Sequence, residues 1–309
     1  MPDRHTQTPV ALLVFNRPHL TRRVFDVIRQ VRPRELLIVA DGPRAYQPND
    51  AADCAEVRAI VQQVDWPCEV QTNFSEVNLG CRRRISSGLN WVFGLVEEAI
   101  IIEDDCLPHP TFFRFCEELL ETHRADTRIM HIGGASFQAG HGASPNSYFY
   151  SRYPHVWGWA SWRRAWQHYD VGLSAWAAAP DKTRFLSLFE KVAEQDFWRM
   201  VWNAVSAGRI DTWDYQWAFA CLLYGGLSIV PTVNLVSNVG FGKNATNTRR
   251  GSLTANLPLA SMPFPLRHPP TVTRDAGADE QTRRLFFVIR NPLRRVVASL
   301  RRRSLSQLP

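Results

Sequence analysis

The sequence lacks the long apolar stretches that mark membrane-spanning or exported chains. Among its 309 residues there is no run of about 18 apolar residues, the length a helix needs to cross a bilayer. The N-terminal MPDRHTQTP is polar and has no apolar centre of a signal peptide. We therefore expect no spanning helix and a cytoplasmic protein.

Cysteine pairs with the spacing of a metal or redox site are also missing. Such sites place cysteines two to four residues apart, and no pair in this chain does so. We expect reduced and mostly buried thiols, as in other cytosolic proteins. These cysteines are Cys54, Cys68, Cys81, Cys106, Cys116 and Cys221.

Acidic residues are absent from Gln281 to the C-terminus, where eight arginines lie. The net charge of the whole chain is +7, so the rest of the chain is close to neutral. The segment 283–303 mixes arginine with Leu, Phe, Val and Ile, a pattern typical of peripheral attachment to the anionic inner face of a membrane. A packed C-terminal helix with a solvated arginine face is the alternative, and nucleic acid is the least favoured partner.

The N-terminal part of the chain alternates strand and helix patterns. Apolar strands at 10–15, 35–41, 69–74 and 99–104 are each followed by a helical pattern. Four such units in sequence predict an α/β fold of the Rossmann type, with a mostly parallel sheet and helices on both faces. With 45% apolar residues the chain can bury a large core.

Polar residues stand where three of these predicted strands end. Asn16 and Arg17 follow the first strand, Asp41 ends the second, and Glu103-Asp104-Asp105 end the fourth. In parallel sheets ligands bind beyond the carboxyl ends of the strands, so we expect these groups to converge. Three adjacent carboxylates repel one another, which predicts a cation beside them. A solvated acidic loop or a helix N-cap before Pro110 is the alternative.

Beyond residue 125 the pattern becomes mixed. It predicts strands in 128–134, 147–153 and 227–236, helices at 182–207 and 214–224, and a tryptophan-rich segment at 157–166. We expect one domain over 9–250, with a nucleotide-binding half at about 9–106 and an acceptor and catalytic half at about 107–250. An irregular extension (251–281) and a basic C-terminal tail (282–309) follow.

Several motifs occur in the order found in one enzyme family. The segments VFNRP (14–18), IVADGP (38–43), NLGCRRRISSGLNWVF (78–93) and EDDCLPHPTFF (103–113) resemble those of GT-A-fold glycosyltransferases. The nearest pattern is the E-D-D form of the Golgi β-1,2-N-acetylglucosaminyltransferases and of related, family 2-like bacterial transferases. The resemblance runs from about Val10 to Thr248, and the E-D-D segment is its most specific part.

The resemblance implies roles for residues of the nucleotide-binding half. It makes Asp105 the direct metal ligand, with Asp104 beside the ribose and the metal shell, and it places Glu103 among the residues that bind the nucleotide-sugar. It makes Asp41 the residue that bonds the base. It also places near the nucleotide the first-strand residues and one of the three arginines 82–84, for which we choose Arg83: Phe15, Asn16, Arg17 and Arg83.

The resemblance also assigns residues of the second half. In TWDYQW (212–217) it makes Asp214 the catalytic base, with Asp211 as a rival because Tyr215 replaces a second acid. Gly158 and Trp159 stand near the donor sugar and acceptor. The segment 240–251 is similar to a loop that closes over the diphosphate, with contacts from Lys243, Asn244 and Thr246.

Together these features predict a glycosyltransferase that uses Mn²⁺ or Mg²⁺. It would transfer a sugar with inversion from a nucleotide-sugar donor, UDP-sugar being favoured, to a hydroxyl of a glycan or lipid-linked acceptor. A nucleotidyltransferase would need a glycine-rich loop after the first strand, and VFNRPHL contains no glycine. A non-catalytic nucleotide- or carbohydrate-binding module is the remaining alternative. Structural roles also remain open for individual residues: Asp41 as a turn cap, Asp214 as a helix N-cap and the tryptophans as core.

Overall fold

A computed structural model describes residues 5–138, 145–241 and 256–287. The predicted loop residues Lys243, Asn244 and Thr246 and the tail from 288 onward lie outside the described residues. The strands are β1 Val10–Val14, β2 Glu35–Ala40, β3 Glu69–Phe74, β4 Glu98–Glu103, β5 Cys106–Pro108, β6 Ile129–Gly133, β7 Tyr148–Ser151, β8 Trp159–Trp162, β9 Leu227–Pro231 and β10 Val236–Asn238. The helices are α1 Pro18–Val31, α2 Asp50–Val61, α3 Gly80–Leu95, α4 Thr111–Thr122, α5 Arg163–Trp166, α6 Ser174–Ala178, α7 Thr183–Leu186, α8 Val192–Ser206, α9 Asp214–Leu223 and α10 Ala276–Phe286.

Eight strands form the central sheet, in the order β3-β2-β1-β4-β8-β6-β9-β7. The four strands from the predicted β-α units lie side by side and are parallel, which confirms that part of the prediction. Strand β8 then runs antiparallel to both β4 and β6. The α/β class is confirmed, while the parallel arrangement holds for the first half and the second half is mixed.

Helices cover both faces of this sheet. Along β1 the residues alternate between two cores: Val10 and Leu12 pack with α1, α2 and α4, whereas Ala11 and Leu13 pack with α3 and α9. This alternation is what a strand buried on both faces requires. The carboxyl ends of β1 and β4 are therefore fixed from both sides, which gives the polar residues that follow them a rigid base.

Two elements differ from the sequence prediction. The helix predicted at 182–207 is broken into α7 and α8, because Lys191 is extended (φ −103°, ψ 126°). The break allows Phe189 to pack on Trp198 and Trp202, with ring centroids 5.8 and 6.0 Å apart. The strand predicted at 227–236 ends at Pro231, and Val236 instead begins β10, which pairs with β5 in a separate two-stranded sheet.

The described C-terminal part, 256–287, is irregular up to α10, apart from a bridge between Tyr150 and Arg274. Helix α10 spans the boundary between residues 281 and 282 that was predicted to divide the irregular extension from the basic tail. Within the described ranges, no helix is both long enough and apolar enough to cross a bilayer.

Candidate active site

Arg17 lies against the carboxylates that follow β4. Its Nη1 atom is 2.5 Å from Asp105 Oδ2 and 3.6 Å from Asp104 Oδ1. The backbone N–H of Phe15 donates to Asp104 Oδ2 at 3.1 Å. The ends of two neighbouring parallel strands thus meet, and a guanidinium stands beside the acidic group where a positive charge was expected.

Strand β10 fixes the position of Asp105 from the other side. Asn238 Nδ2 donates to Asp105 Oδ1 at 3.3 Å, and the N–H of Val239 donates to the Asp105 carbonyl at 2.8 Å. A Cβ atom on Gly240 would lie 2.2 Å from Asp105 Oδ2 and 2.7 Å from its Cγ. Only glycine fits at position 240 while the carboxylate keeps this place.

When all three are ionised, Glu103, Asp104 and Asp105 carry more negative charge than Arg17 can balance. Burial, together with the charges of Asp105 and Asp104, raises the pKa of Glu103 well above its ordinary value. Burial also raises the pKa of Asp104 to about 7, although Arg17 opposes this rise. For Arg17, burial alone would lower the pKa, but the charges of Asp104 and Asp105 outweigh burial and the pKa is raised. The group favours an added cation.

Asp214 is the first residue of α9, the helix that packs with α3 on one face of the sheet. Its charge is close enough to contribute to the raised pKa of Glu103. Burial raises the pKa of Asp214 itself, while hydrogen bonds from Thr212 Oγ1 and the Tyr215 N–H oppose that rise. The structure therefore brings Asp214 into the same electrostatic group as the E-D-D carboxylates.

Asp211, the rival base, is engaged at the start of α3. Its Oδ1 accepts the backbone N–H of Arg82 at 3.2 Å, and its Oδ2 would lie 2.8 Å from a Cβ on Gly80. An acceptor in this place satisfies an N–H group that the first turn of a helix leaves unpaired. Asp211 thus joins the segment before α9 to the N-terminus of α3.

Asp41 is tied to the chain at all of its acceptor positions. Its Oδ1 accepts the N–H groups of Gly42 and Leu79, both at 2.9 Å. Its Oδ2 accepts Asn78 Nδ2 at 3.0 Å and the Gly80 N–H at 3.2 Å. A carboxylate offers about four such positions, so Asp41 joins the end of β2 to the start of α3. Burial nevertheless raises its pKa, against the effect of these hydrogen bonds.

Asn16 and Phe15 contact Asp50 and Arg44, two residues that were not predicted to belong to the site. Asn16 Nδ2 donates to Asp50 Oδ1 at 2.8 Å, and Arg44 binds both oxygens of Asp50 at 2.6 and 2.9 Å. The Arg44 guanidinium lies over the Phe15 ring, 5.3 Å from its centroid. These bonds lower the pKa of Asp50, chiefly through the side chain of Arg44. The sequence Asp41-Gly42-Pro43 is typical of a turn, but a pairing between Arg44 and Asp50, six residues apart, has no local signal.

The three arginines at the start of α3 have different surroundings. Arg84 is buried, and its Nη2 donates to the backbone and side-chain oxygens of Asn73. Arg83, our predicted nucleotide contact, has an exposed side chain. The backbone of Arg82 is held by Asp211, as described above. Arg84 is thus committed to β3, and a nucleotide contact from Arg83 stays a prediction.

Trp159 is not available as predicted. It is fully buried and stacks between His131 and Trp213, with centroids 5.2 and 5.6 Å away. The expected contact of its ring with a sugar is wrong for this arrangement, because β8 lies inside the sheet and directs the ring into the core. Gly158 has φ +61° and lies against Val236, where a Cβ would approach a methyl group to 2.7 Å.

The donor set suits a hard divalent cation that keeps other ligands. Among the described residues, no group of three His, Cys, Asp or Glu side chains is arranged to hold an ion. Mg²⁺ commonly takes only one or two carboxylates and completes its shell with water and phosphate oxygens. The excess of carboxylates around Asp105 fits that mode of binding, with the protein as the minor contributor of ligands.

No family model matches the sequence, and no curated protein matches it. Solved structures similar to the chain include a mannosyltransferase from Pyrobaculum calidifontis in complex with GDP-Man and Mn²⁺, at 15% identity, 72% coverage of both chains and a TM-score of 0.38. A UDP-glucose pyrophosphorylase with UDP-glucose is 12% identical over 47% of this chain and 62% of that one, with a TM-score of 0.28. A 4-diphosphocytidyl-2C-methyl-D-erythritol synthase from Anaerococcus prevotii is 13% identical over 60% and 84%, with a TM-score of 0.34.

Proposed function

We propose that the chain is a metal-dependent glycosyltransferase of the GT-A type that uses a nucleotide-sugar donor. The observation that carries this proposal is the meeting of Arg17, Asp104 and Asp105 at the carboxyl edge of β1 and β4, with Asp214 in the same electrostatic group. Such an edge is where ligands bind in open α/β sheets. The excess carboxylates suit a divalent metal ion, and the Arg17 guanidinium suits a phosphate group. The cluster therefore fits a metal ion and a diphosphate bound together.

Asp105 is the proposed protein ligand of Mn²⁺ or Mg²⁺, oriented by Asn238 and Gly240. When bound, the ion would stabilise the negative charge on the leaving diphosphate. Arg17 orients the carboxylates and offers a second positive charge to the phosphates. Asp104, held by the Phe15 N–H, keeps the β1 end in place beside the nucleotide.

Asp214 is the proposed general base. It would accept the proton of the acceptor hydroxyl, and a raised pKa suits that task because it makes the carboxylate a stronger base. Direct attack by that hydroxyl opposite the leaving group would invert the anomeric centre. Asp211 acts as a positioning residue in this proposal, because its carboxylate is engaged by the N-terminus of α3.

Donor and acceptor are proposed only by class. We favour a UDP-sugar, and a glycan or a lipid-linked glycan as the acceptor, at the inner face of a membrane. Asp41 would act through the placing of Asn78–Gly80 rather than by a direct bond to the base, since its oxygens are already engaged.

A nucleotidyltransferase is the less favoured alternative. Binding a triphosphate at the end of β1 would need free backbone N–H groups there. In this chain the Phe15 N–H is bonded to Asp104, and the N–H groups of Leu20 and Thr21 are bonded to the Arg17 carbonyl. These three N–H groups are therefore already paired within the chain.

Thermal unfolding with UDP-, GDP-, dTDP- and CMP-sugars, with Mn²⁺ and with a chelator, tests the proposal. A ligand at 100 times its Kd adds about 2.7 kcal/mol, so a nucleotide of one class should raise the Tm only when the metal is present. Asp105→Ala should abolish this shift. Asp214→Asn should keep the shift and lose transfer, whereas Asp211→Asn should retain measurable transfer. A folded protein that no nucleotide stabilises would contradict the proposal.

A further inference from the structure

Helix α10 is fastened to the body of the protein by buried polar contacts. Asp279 is 5% exposed and accepts Ser151 Oγ at 2.6 Å, and Arg274 approaches its other oxygen at 3.5 Å. Gln138 Nε2 donates to the Ala278 carbonyl at 2.8 Å. Asp275 caps the helix by accepting the Ala278 N–H at 2.9 Å. Helix α10 therefore has a defined seat on β7 and on the segment after β6.

A row of aromatic rings connects the end of α10 with the candidate active site. Phe286 contacts Phe137 with ring centroids 4.9 Å apart, Phe137 contacts Trp157 at 5.2 Å, and Trp157 contacts Phe241 at 5.7 Å. All three contacts are edge-to-face, with interplanar angles of 75°, 73° and 84°. We call these four residues the aromatic row.

The far end of the aromatic row adjoins Asp105. Phe241 directly follows Gly240, the residue whose missing side chain leaves room for the Asp105 carboxylate. Trp157 directly precedes Gly158, which lies against Val236 at the start of β10. The row thus reaches both ends of the short segment 236–241, and that segment holds Asp105 through Asn238.

We propose that Phe286 is a positioning residue that holds the segment 236–241 against Asp105. The proposal rests on the proposed function only in treating Asp105 as a ligand of the metal and donor. Removing the Phe286 ring frees Phe137 on one side, and the freed space loosens Trp157 and Phe241 in turn. The contact of Gly240 with Asp105 then becomes transient, although no residue of the site has been changed.

Hydrogen exchange measured by mass spectrometry tests the coupling without any ligand. The informative peptide covers Val236–Phe241, which contains the Val239 N–H bonded to Asp105 and the Gly240 N–H bonded to Asn238. An aromatic pair contributes enough that its loss should speed exchange in this peptide about threefold to tenfold in Phe286→Ala.

Phe287→Ala is the matched control. Phe287 lies next to Phe286, with ring centroids 6.1 Å apart, but its closer contacts are with Tyr153, Phe197 and Trp198, at 5.0, 5.1 and 5.1 Å, and it makes none with Phe137 among the described ring contacts. It should loosen the packing between the end of α10 and α8, and it should speed exchange in the 236–241 peptide much less than Phe286→Ala does. Unchanged exchange in Phe286→Ala, or equal acceleration in both variants, would overturn the proposal. If Phe286→Ala does not fold, Phe286→Leu, which keeps apolar bulk without a ring, is measured against the same two outcomes.

A second readout connects the row with the donor. The metal-dependent Tm shift with the stabilising nucleotide should require severalfold more Mn²⁺ in Phe286→Ala than in Phe287→Ala, and Phe286→Tyr should restore it. If no nucleotide stabilises the unchanged protein, the proposed function fails, while the exchange experiment still decides whether Phe286 positions the segment.

Discussion

Replacement of Asp41 by asparagine separates a structural role from a role in nucleotide binding. The variant keeps the shape of the side chain but can accept hydrogen bonds at only one of the two positions. If the amide oxygen takes the place of Oδ1, the Gly42 and Leu79 bonds survive. The amide nitrogen then faces two donors, the Gly80 N–H and Asn78 Nδ2, and neither can be satisfied by it.

The expected loss follows from these two contacts. A buried donor left without a partner costs about 1–3 kcal/mol. Asn78 keeps its bond to the Gly42 carbonyl at 2.9 Å, so its loss lies at the low end. The neutral amide also avoids the burial of charge that raises the pKa of Asp41. We therefore expect the free energy of unfolding to fall by about 2–3 kcal/mol, which for a chain of this length corresponds to a Tm lower by about 3–5 °C.

Chemical denaturation and thermal melting measure this loss, with Asp196→Asn as the control. Asp196 is exposed and pairs with Arg199 one turn along the helix, so its replacement should change the free energy by no more than about 0.5 kcal/mol. If Asp41→Asn melts like the unchanged protein but loses nucleotide binding, the reasoning is refuted, and Asp41 bonds the nucleotide as the resemblance implied.

Three further predictions concern other parts of the structure. Gly240→Ala should fold but lose metal-dependent nucleotide binding in the thermal assay, because its Cβ would displace the Asp105 carboxylate. Gly94→Ala is its control: no atom lies within 4 Å of the added Cβ, so this variant should bind normally and gain about 0.5–1 kcal/mol in stability. Burial lowers the pKa of His131 to about 3, so below pH about 6.5 the unfolded chain binds more protons at this residue than the folded chain does. The free energy of unfolding should therefore fall as the pH drops from about 6.5 towards 3, and His131→Gln should reduce this dependence in denaturant titrations. Trp217→Phe should destabilise the fold by about 1–2 kcal/mol without changing metal dependence, because it removes the donor to His131 Nδ1 at 3.2 Å and leaves the Asp105 group untouched.

The parallel half of the fold could be predicted from the sequence because its signal is local. Each of its strands is an apolar run followed by a periodic helix, and the buried III run of β4 leads directly into the acidic residues. Strand β8 has no such local pattern, because the sequence WASW is equally compatible with a buried strand and with a loop. Its place between β4 and β6 depends on partners that are distant in the sequence, and this pairing also buries Trp159.

The candidate site shows the same division. The convergence of Arg17 with Asp104 and Asp105 follows from strand order and was expected. The residues that hold the site were not: Asn238 and Gly240 reach Asp105 across more than 130 residues, and Asp211 reaches α3 across 129. Such contacts follow from packing of whole elements, and no spacing rule along one chain reports them.

The end of α10 binds part of the positive charge of the C-terminal segment. Of the eight arginines after Gln281, Arg283 and Arg284 bind Glu280 at 2.6 and 2.8 Å, and this pairing lowers the pKa of Glu280 to about 2. The single charge of Glu280 balances one of these two arginines, and six further arginines lie beyond Phe287. At about 1 kcal/mol for each basic side chain near an anionic lipid surface, they would contribute about 6 kcal/mol to attachment. A chain shortened after Phe287 would lose this affinity and keep Phe286, whereas one shortened after Gln281 would lose both, so two truncations can separate attachment from the integrity of the site.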